Sequence, residues 1–423
     1  MNIWYLHHHA TPYEIAGVHR PFEFGEYWEK EGHHLTVFIS SYFHWARYNM
    51  INDHNKVLFQ KCHGIDTVFV KTSSYKGSGL KRAYNMVEFW RRVTPIAKKL
   101  AKKKGKPDII LASSPQPLTM LAGLKLAKKF GVPCICEIRD FWPEVFFLCG
   151  VVKEKSLFGR IMLREERRIY ERADGLLFLK EGDHTYITDK GWDIGHGGKV
   201  DMAKCSYVNN GVDLARFDKN KSDNPYEDAD LDTGKFTVVY CGSIRAVNNL
   251  DLLLNAAKLV PEASFLLYGD GTCVKDLHRR IDEEKINNVK LKGYVDNKYV
   301  SSILSRSSLN ILNYSGKKYN WSRGNSSNKL FEYLASGKPV VSTVKMGYDL
   351  IERYGCGYSV SETTPEQIAE MIKKVMALSP EEYSAMCLNA RRAAEDFDAP
   401  KLANKYLQEM ERVLASYKAR KGE

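Results

Sequence analysis

The chain contains no apolar stretch long enough to cross a bilayer: its longest, VFFLCGVV from Val145 to Val152, is eight residues, against the roughly 18–20 a spanning helix needs. Cysteine is sparse as well. The nine cysteines are odd in number and include no CxxC, and Cys134 and Cys136 share one face of an apolar strand pattern, which favours reduced core thiols over disulfides or zinc. The opening MNIWYLHHHATPYE has neither the basic region nor the long apolar region of a signal peptide, so a cytoplasmic protein is expected. Internal repeats and low-complexity tracts are missing, and only a charged tail ending KARKGE reads as frayed. Disorder on a large scale is excluded by 44% apolar against 27% charged residues.

What is present is length and positive charge. At 423 residues the chain is too long for one core, and two domains of roughly 200 residues are expected. Sixty-three basic against 51 acidic residues give a net charge of +12, which implies an anionic partner. From Phe89 to Lys106 the spacing predicts a basic amphipathic helix, with Phe89, Val93, Ile96 and Leu100 on one stripe and Arg91, Arg92, Lys98, Lys99, Lys102 and Lys103 around it. Such a face serves equally as the solvated side of a packed helix.

Strands and helices alternate in two halves, the pattern of doubly wound parallel sheets. In the first half, strands are predicted at Asn2–Leu6, Leu35–Ile39, Thr67–Val70, Ile109–Ala112, Cys134–Ile138, Gly175–Leu179 and Cys205–Val208. A helix is predicted from Leu118 to Phe130. The polar stretch from Asp218 to Gly234 reads as a linker, dividing the chain into 1–217, 218–395 and a final helix, 396–423, packing back on the first domain. Strands at Phe236–Cys241, Ser264–Tyr268, Val289–Lys292, Leu309–Leu312 and Val340–Ser342 build the second half. Gly242, Gly269, Gly271 and Gly293 then fall beyond strand ends, where ligands of such sheets bind.

The segment SSNKLFEYLASGKPVVST, Ser326 to Thr343, is the most informative. Ser326, Ser327 and Asn328 are N-cap residues, Gly337 suits a left-handed position past the helix end, and Pro339 stops continuation. Leu330, Phe331 and Leu334 form an apolar stripe, leaving Lys329 and Glu332 on a polar face. A helix start beside a lysine attracts phosphate, and a carboxylate one turn on accepts from ribose hydroxyls. An i,i+3 surface ion pair is the bland alternative.

With these features the chain resembles the retaining family-four glycosyltransferases of the GT-B fold, in which two Rossmann-like doubly wound parallel-sheet domains face each other across a cleft. The likeness spans nearly the whole chain and is sharpest to the bacterial surface-polysaccharide (O-antigen and capsule) branch. It rests on Arg139-Asp140-Phe141-Trp142-Pro143-Glu144, on the NGVD turn from Asn210 to Asp213, and on the GDG segment from Gly269 to Gly271.

The resemblance implies transfer of a hexose or acetamidosugar from a nucleotide-diphosphate sugar, by family a UDP-sugar. The acceptor would be a lipid-linked (polyprenyl-diphosphate) or polysaccharide glycan. Positive charge must then meet the leaving diphosphate, and Arg245, Lys329 and the helix start would supply it with no metal or other cofactor. Of the family's two glutamates, Glu332 matches the one that contacts ribose, whereas the sugar-contacting position falls on Gly324, so Asn325 or Ser326 would have to substitute. The donor side is completed by Gly242, Ser243, Gly269, Gly271, Tyr294, Ser327, Asn328 and Leu330. On the acceptor side, Asp140 is the catalytic candidate, with His9, Gly17, Arg139 and Glu181. Capping the next helix or pairing with Arg139 would also explain Asp140. Three consecutive histidines, His7, His8 and His9, cannot all face one ion, which favours a loop bordering acceptor and diphosphate over a metal site.

Between Phe146 and Arg168, Phe146, Phe147, Leu148, Val151, Val152, Leu157 and Phe158 mix with Lys153, Lys155, Arg160, Arg164, Arg167 and Arg168. That composition suits peripheral attachment to an anionic membrane face, and core packing explains the apolar members equally well. The rival functions are a nucleotide-sugar 2-epimerase of the same fold and a non-catalytic basic protein binding membrane or nucleic acid. Signatures of common RNA-binding modules are missing, so no nucleic-acid partner is expected.

Overall fold

The computed structural model describes residues 1–422 apart from 16, 78 and 317–319. The chain divides into two compact units, Met1–Val208 with Pro400–Glu423, and Asn209–Ala399.

The first unit is built on an eight-stranded sheet. Its strands are β1 (Asn2–Leu6), β2 (His34–Ser40), β3 (Val57–Cys62), β4 (Ile65–Val70), β5 (Ile109–Ser113), β6 (Cys134–Ile138), β7 (Gly175–Phe178) and β8 (Cys205–Tyr207). They lie in the order β8-β7-β6-β5-β1-β2-β4-β3. All neighbours are parallel except β3, which pairs antiparallel with β4 as an added edge. The central strands β1, β5 and β6 are almost wholly buried, as expected of a sheet covered on both faces. β3 escapes the sequence reading because VLFQKC is mostly exposed and lacks a buried stripe.

The predicted basic helix runs over Leu80–Lys104, and Phe89, Val93 and Leu100 lie in the core. Its lysines therefore cover the outside of a packed helix. The final helix, Ala399–Lys421, packs on this unit. Trp28 donates its indole N–H to the Ala403 carbonyl at 2.9 Å, and the Tyr406 ring lies 5.3 Å from Trp28 and 6.5 Å from Tyr5. Gly175 is required there, because a Cβ would come within 2.8 Å of Val413. The tail expected to fray stays helical to Lys421, and Arg420 pairs with Asp174 at 2.7 Å.

The second unit holds a six-stranded sheet. Its strands are β9 (Thr237–Cys241), β10 (Ser264–Tyr268), β11 (Val289–Gly293), β12 (Leu309–Leu312), β13 (Val340–Ser342) and β14 (Gly357–Ser359). All are parallel, in the order β11-β10-β9-β12-β13-β14. This is the dinucleotide-fold order, whose switch point lies between β9 and β12. The stretch expected as a linker begins inside a helix, Leu214–Asp223, whose Leu214 and Phe217 are buried. Asp213 caps that helix through the Arg216 N–H at 2.8 Å, and Arg391 holds Asp218 through two bonds of 3.0 and 2.5 Å. The division between units consequently falls at Val208/Asn209 instead of 217/218.

Candidate functional site

In the second unit the carboxyl ends of the first three strands are zipped together by backbone alone. Gly242 donates to the Tyr268 carbonyl at 3.0 Å, Gly269 to Gly293 at 2.7 Å, and Ile244 to Asp270 at 2.8 Å. A Cβ on Gly269 would lie 1.8 Å from the Gly242 oxygen, and one on Gly271 2.1 Å from that of Ile244. Only glycine permits this approach. The result is a half-buried backbone rim at the strand ends, carrying Ser243 and the exposed Arg245.

The Asn328–Ala335 helix leans on this rim. Leu330, Phe331 and Leu334 are buried, and Tyr333 clamps the helix to β9, its hydroxyl donating to the Cys241 carbonyl at 3.1 Å and accepting from the Cys241 N–H at 2.9 Å. Ser327 is the N-cap residue, but no side chain caps the helix, and Gly337 takes the left-handed conformation (φ +64°) beyond its end. Leu330 differs from its polar neighbours. Its side chain is core and its N–H bonds to the Ser327 carbonyl at 3.1 Å. Asn325, Ser326 and Ser327 are held as a fixed loop: the Asn325 amide oxygen accepts from Ser327 N–H at 2.7 Å, and the Asn210 amide donates to the Ser326 carbonyl at 2.7 Å. The position where the family has its first glutamate, Gly324, has φ +98°, a conformation that penalises any side chain.

Clamping the helix this way places half-buried Lys329 against Gly242. A Cβ on Gly242 would touch the lysine stem at 2.7 Å. The ammonium lies 3.2 Å from the Tyr240 hydroxyl, 4.5 Å from the centre of the Tyr314 ring and 4.9 Å from that of Tyr240. With the Asn248 amide oriented to satisfy both its ends, its oxygen accepts from Lys329 at 2.9 Å and its nitrogen donates to the Ser243 carbonyl at 2.7 Å. Desolvation lowers the Lys329 pKa to about 7, with the Arg245 charge adding to the fall and Glu332 opposing it. Arg245 and Glu332 thus both act electrostatically on Lys329. A lysine poised between charge states at a strand end is a mark of a functional site. Tyr294 stands just past β11, 72% exposed. Tyr240, Asn248, Tyr314 and Tyr333 were missed: the first is an ordinary strand tyrosine in sequence, and only the fold brings the others to it.

In the first unit the acceptor-side candidates also follow strand ends. His9 follows β1, and Gly17 lies so close to Thr11 that a Cβ would meet its hydroxyl at 2.5 Å. Arg139 and Asp140 follow β6, and both backbone N–H groups reach the Ser114 hydroxyl, at 2.8 and 3.3 Å. The exposed Asp140 does not cap the next helix, whose N-cap residue is Pro143. Glu181, half-buried in the turn after β7, stands one strand farther out, with its field on Lys405.

Beneath them lies a buried carboxylate missed in sequence, although Glu137 in the apolar strand CICEI was the signal. Glu137 accepts from Arg20 at 2.9 Å, Tyr5 at 2.5 Å and Ser113 at 2.6 Å. Burial alone would raise its pKa, but Arg20 and Arg139 outweigh it and bring it to about 2. His7 is pushed down to about 3 by burial and by Arg139, so it stays neutral. Among the described residues no group of three His, Cys, Asp or Glu side chains is arranged to hold a metal, and no helix is long and apolar enough to span a membrane.

Residues 235–377 match the family Glycosyl transferases group 1, and residues 22–196 the Glycosyl transferase 4-like domain. The chain belongs to the group 1 glycosyltransferases. The two matches fall one in each unit, and the fold is GT-B. A probable glycosyltransferase from Pseudomonas aeruginosa, WbjE, is 20% identical over 66% of this chain and 69% of its own. A putative teichuronic acid biosynthesis glycosyltransferase from Bacillus subtilis, TuaH, is 26% identical over 50% of this chain and 53% of its own. Among solved structures, sucrose-phosphate synthase from Thermosynechococcus elongatus superposes with a TM-score of 0.70 at 17% identity, covering 98% of this chain and 100% of that one. Anabaena HepE in complex with UDP superposes with a TM-score of 0.66 at 15% identity, covering 97% and 100%.

A last feature of this glycosyltransferase is its surface between Glu144 and Arg172. Phe146 and Phe147 are half-buried, but Leu148, Val151, Leu157, Phe158 and Ile161 are 45%, 70%, 78%, 60% and 49% exposed. Lys153, Lys155, Arg160, Arg164 and Arg168 are exposed beside them. Core packing therefore does not account for this apolar set.

Proposed function

We propose that the chain is a retaining, metal-independent transferase that moves a sugar from a UDP-sugar to a lipid-linked (polyprenyl-diphosphate) glycan in bacterial surface-glycan assembly. The observation that carries this reading is Lys329, fixed at the strand-end rim among Tyr240, Tyr314 and Asn248 beside Arg245. Breaking the anomeric C–O bond leaves a diphosphate gaining charge, and preorganised cations there lower the barrier without reorganisation. Lys329, Arg245 and the uncapped start of the Asn328–Ala335 helix would receive that charge, Glu332 would accept from the ribose, and Tyr294 would flank the base. Asp140 and Arg139 would border the reacting sugar. HepE was solved with UDP, and the two curated relatives belong by name to glycosyl transfer, one of them in teichuronic acid biosynthesis, which supports the donor and the pathway class.

Thermal-shift screening against UDP, GDP, ADP and TDP in excess chelator tests the donor reading, because a ligand of the native state raises its melting temperature. Selective stabilisation by UDP that survives chelation is expected; no stabilisation by any of the four overturns it. Anomeric NMR of the product reports retention, and a donor-only incubation that yields an epimerised nucleotide sugar would replace transfer by 2-epimerisation.

The Leu148–Arg168 surface would hold the enzyme on the membrane that carries its acceptor, seating apolar side chains at the headgroup boundary and basic ones on anionic lipid. Flotation with phosphatidylglycerol vesicles at low salt should carry the protein upward. Failure to float there removes the membrane part of the reading.

A further inference from the structure

Over the end of β1 lies a polar cluster distinct from the Glu137 network. His8 and His9 are 3% and 9% exposed and their rings are 4.3 Å apart. His8 is tied through one ring nitrogen to the Asn85 amide oxygen at 2.8 Å. His44, on the loop after β2, stacks on Tyr75 at 5.2 Å. The Trp45 ring, 48% exposed, stands 6.1 Å from His9 and 5.8 Å from His44. Into this group reaches Arg82, from the first turn of the Leu80–Lys104 helix, and its charge acts on His8, His9, His44 and Tyr75 alike.

Among the described residues three donor-capable atoms here are buried with no protein partner, His9 Nε2, His44 Nδ1 and Arg82 Nε; His8 Nδ1 is unpartnered too, but as an acceptor, because the His8 proton sits on the nitrogen that donates to Asn85. A buried donor left unpaired costs free energy, so several at one spot call for an explanation. No acid stands in the helix's first turn and no side chain caps its start. The next acid along, Glu88, is engaged by Arg92 at 2.8 Å and by the Ser73 N–H at 2.7 Å. Burial, then the adjacent His8 ring and the Arg82 charge, hold His9 well below the usual imidazole range, so the ring is neutral and donates a hydrogen bond without repelling Arg82. One fixed charge, neutral donors and an exposed indole face together suit a ring that carries an anionic group.

We infer that Arg82, His9 and His44, with Trp45 as a platform, form a subsite for a saccharide bearing a carboxylate or phosphate, the anion bonded to Arg82 and the imidazoles and the sugar ring laid on the indole. Calling that saccharide the acceptor rests on the transferase reading above; the binding site itself does not.

The test is histidine NMR on the full chain saturated with UDP, titrated separately with glucuronate, glucose 1-phosphate, inorganic phosphate and glucose. Glucuronate or glucose 1-phosphate should move the His9 and His44 ring signals and bind at least about tenfold more tightly than glucose. The stronger of the two identifies the anion. Arg82→Gln should weaken that binding at least about tenfold while leaving UDP affinity unchanged, Arg82→Lys should restore part of it, and Trp45→Ala should weaken the sugar anions but not inorganic phosphate. Equal binding of glucose and the anionic sugars, or an Arg82→Gln protein that still binds UDP and binds the anions undiminished, overturns the inference. If UDP itself does not bind, the donor reading fails, and the same titration without UDP still reports on Arg82 through the His9 and His44 signals.

Discussion

The sharpest consequence of the Lys329 environment is a pH dependence of nucleotide binding. In the free protein the ammonium titrates at about 7, because desolvation among the tyrosine rings and the Arg245 charge disfavour it. A bound diphosphate supplies the missing counter-charge and returns the group toward the ordinary value of about 10.4. The bound pKa therefore exceeds the free one, and above pH 7 binding must take up a proton. The dissociation constant for UDP should then rise about tenfold per pH unit, by about 11-fold at pH 8 and about 100-fold at pH 9 relative to its acid limit. Ionisation of the terminal phosphate of UDP, with a pKa of about 6, is nearly complete before this range and works in the opposite direction. Arg245 keeps its charge throughout. Isothermal titration in buffers of different ionisation enthalpy measures both affinity and proton uptake. Lys329→Met keeps the stem and removes the charge, so it should weaken binding about 10- to 100-fold at pH 6.5, the worth of a hydrogen bond to a charged group, and abolish the slope. A wild-type affinity that is flat from pH 7 to 9, or a slope that survives Lys329→Met, refutes the placement of the diphosphate on Lys329.

Three further outcomes follow. Gly242→Ala pushes a methyl into the Lys329 stem, 2.7 Å away, and should cost UDP affinity about tenfold; because Gly242 has φ +156°, the melting temperature should fall as well. Glu332→Gln should weaken UDP about 5- to 30-fold, the worth of a charged ribose hydrogen bond, and leave inorganic pyrophosphate binding unchanged by titration calorimetry. Glu166 is buried, and desolvation raises its pKa to about 8 even though Tyr170 and Tyr186 donate to it at 3.0 and 2.7 Å. Its folded pKa lies above the unfolded value, so folding takes up a proton and stability falls as pH rises toward 8. Glu166→Gln should stabilise the protein by about 3 kcal/mol at pH 7 in urea melts, and by almost nothing below pH 4.

All the parallel strands but β14, whose three residues Gly357–Ser359 carry no apolar run, were legible from apolar runs closed by turn residues, and five of them, such as Cys134–Ile138 and Leu309–Leu312, begin and end where predicted. Edge strand β3 was not legible. Its residues face water, and pairing with β4 holds it instead of a buried stripe. The linker reading failed for a related reason: DLARFDKNKSD is polar, yet a capping aspartate, two buried apolar residues and the Arg391–Asp218 pair suffice to make it a helix. In the second unit the cationic residues could be named from Lys329 and Arg245 because their spacing from a strand end and a helix start is local. Their environment could not, since Tyr240, Asn248 and Tyr314 are separated from Lys329 by up to 89 residues.

The environment of Lys329 also explains why a lysine suits this position. A guanidinium held among two tyrosine rings would stay charged at every accessible pH and carry its desolvation cost in the free enzyme. An amine sheds that cost by releasing its proton, as its pKa of about 7 implies. In the proposed reaction the charge on the leaving diphosphate grows as the anomeric bond breaks, so the attraction of a protonated Lys329 is greater in the transition state than for the intact donor. Interactions that strengthen along the reaction raise turnover, whereas those present equally at the start only tighten binding. The same burial that makes the free lysine reluctant to be charged thus makes its charge count most at the point of bond cleavage. Lys329→Met should accordingly lower kcat by more than it raises KM, and a variant that changes KM alone would assign the lysine to ground-state binding.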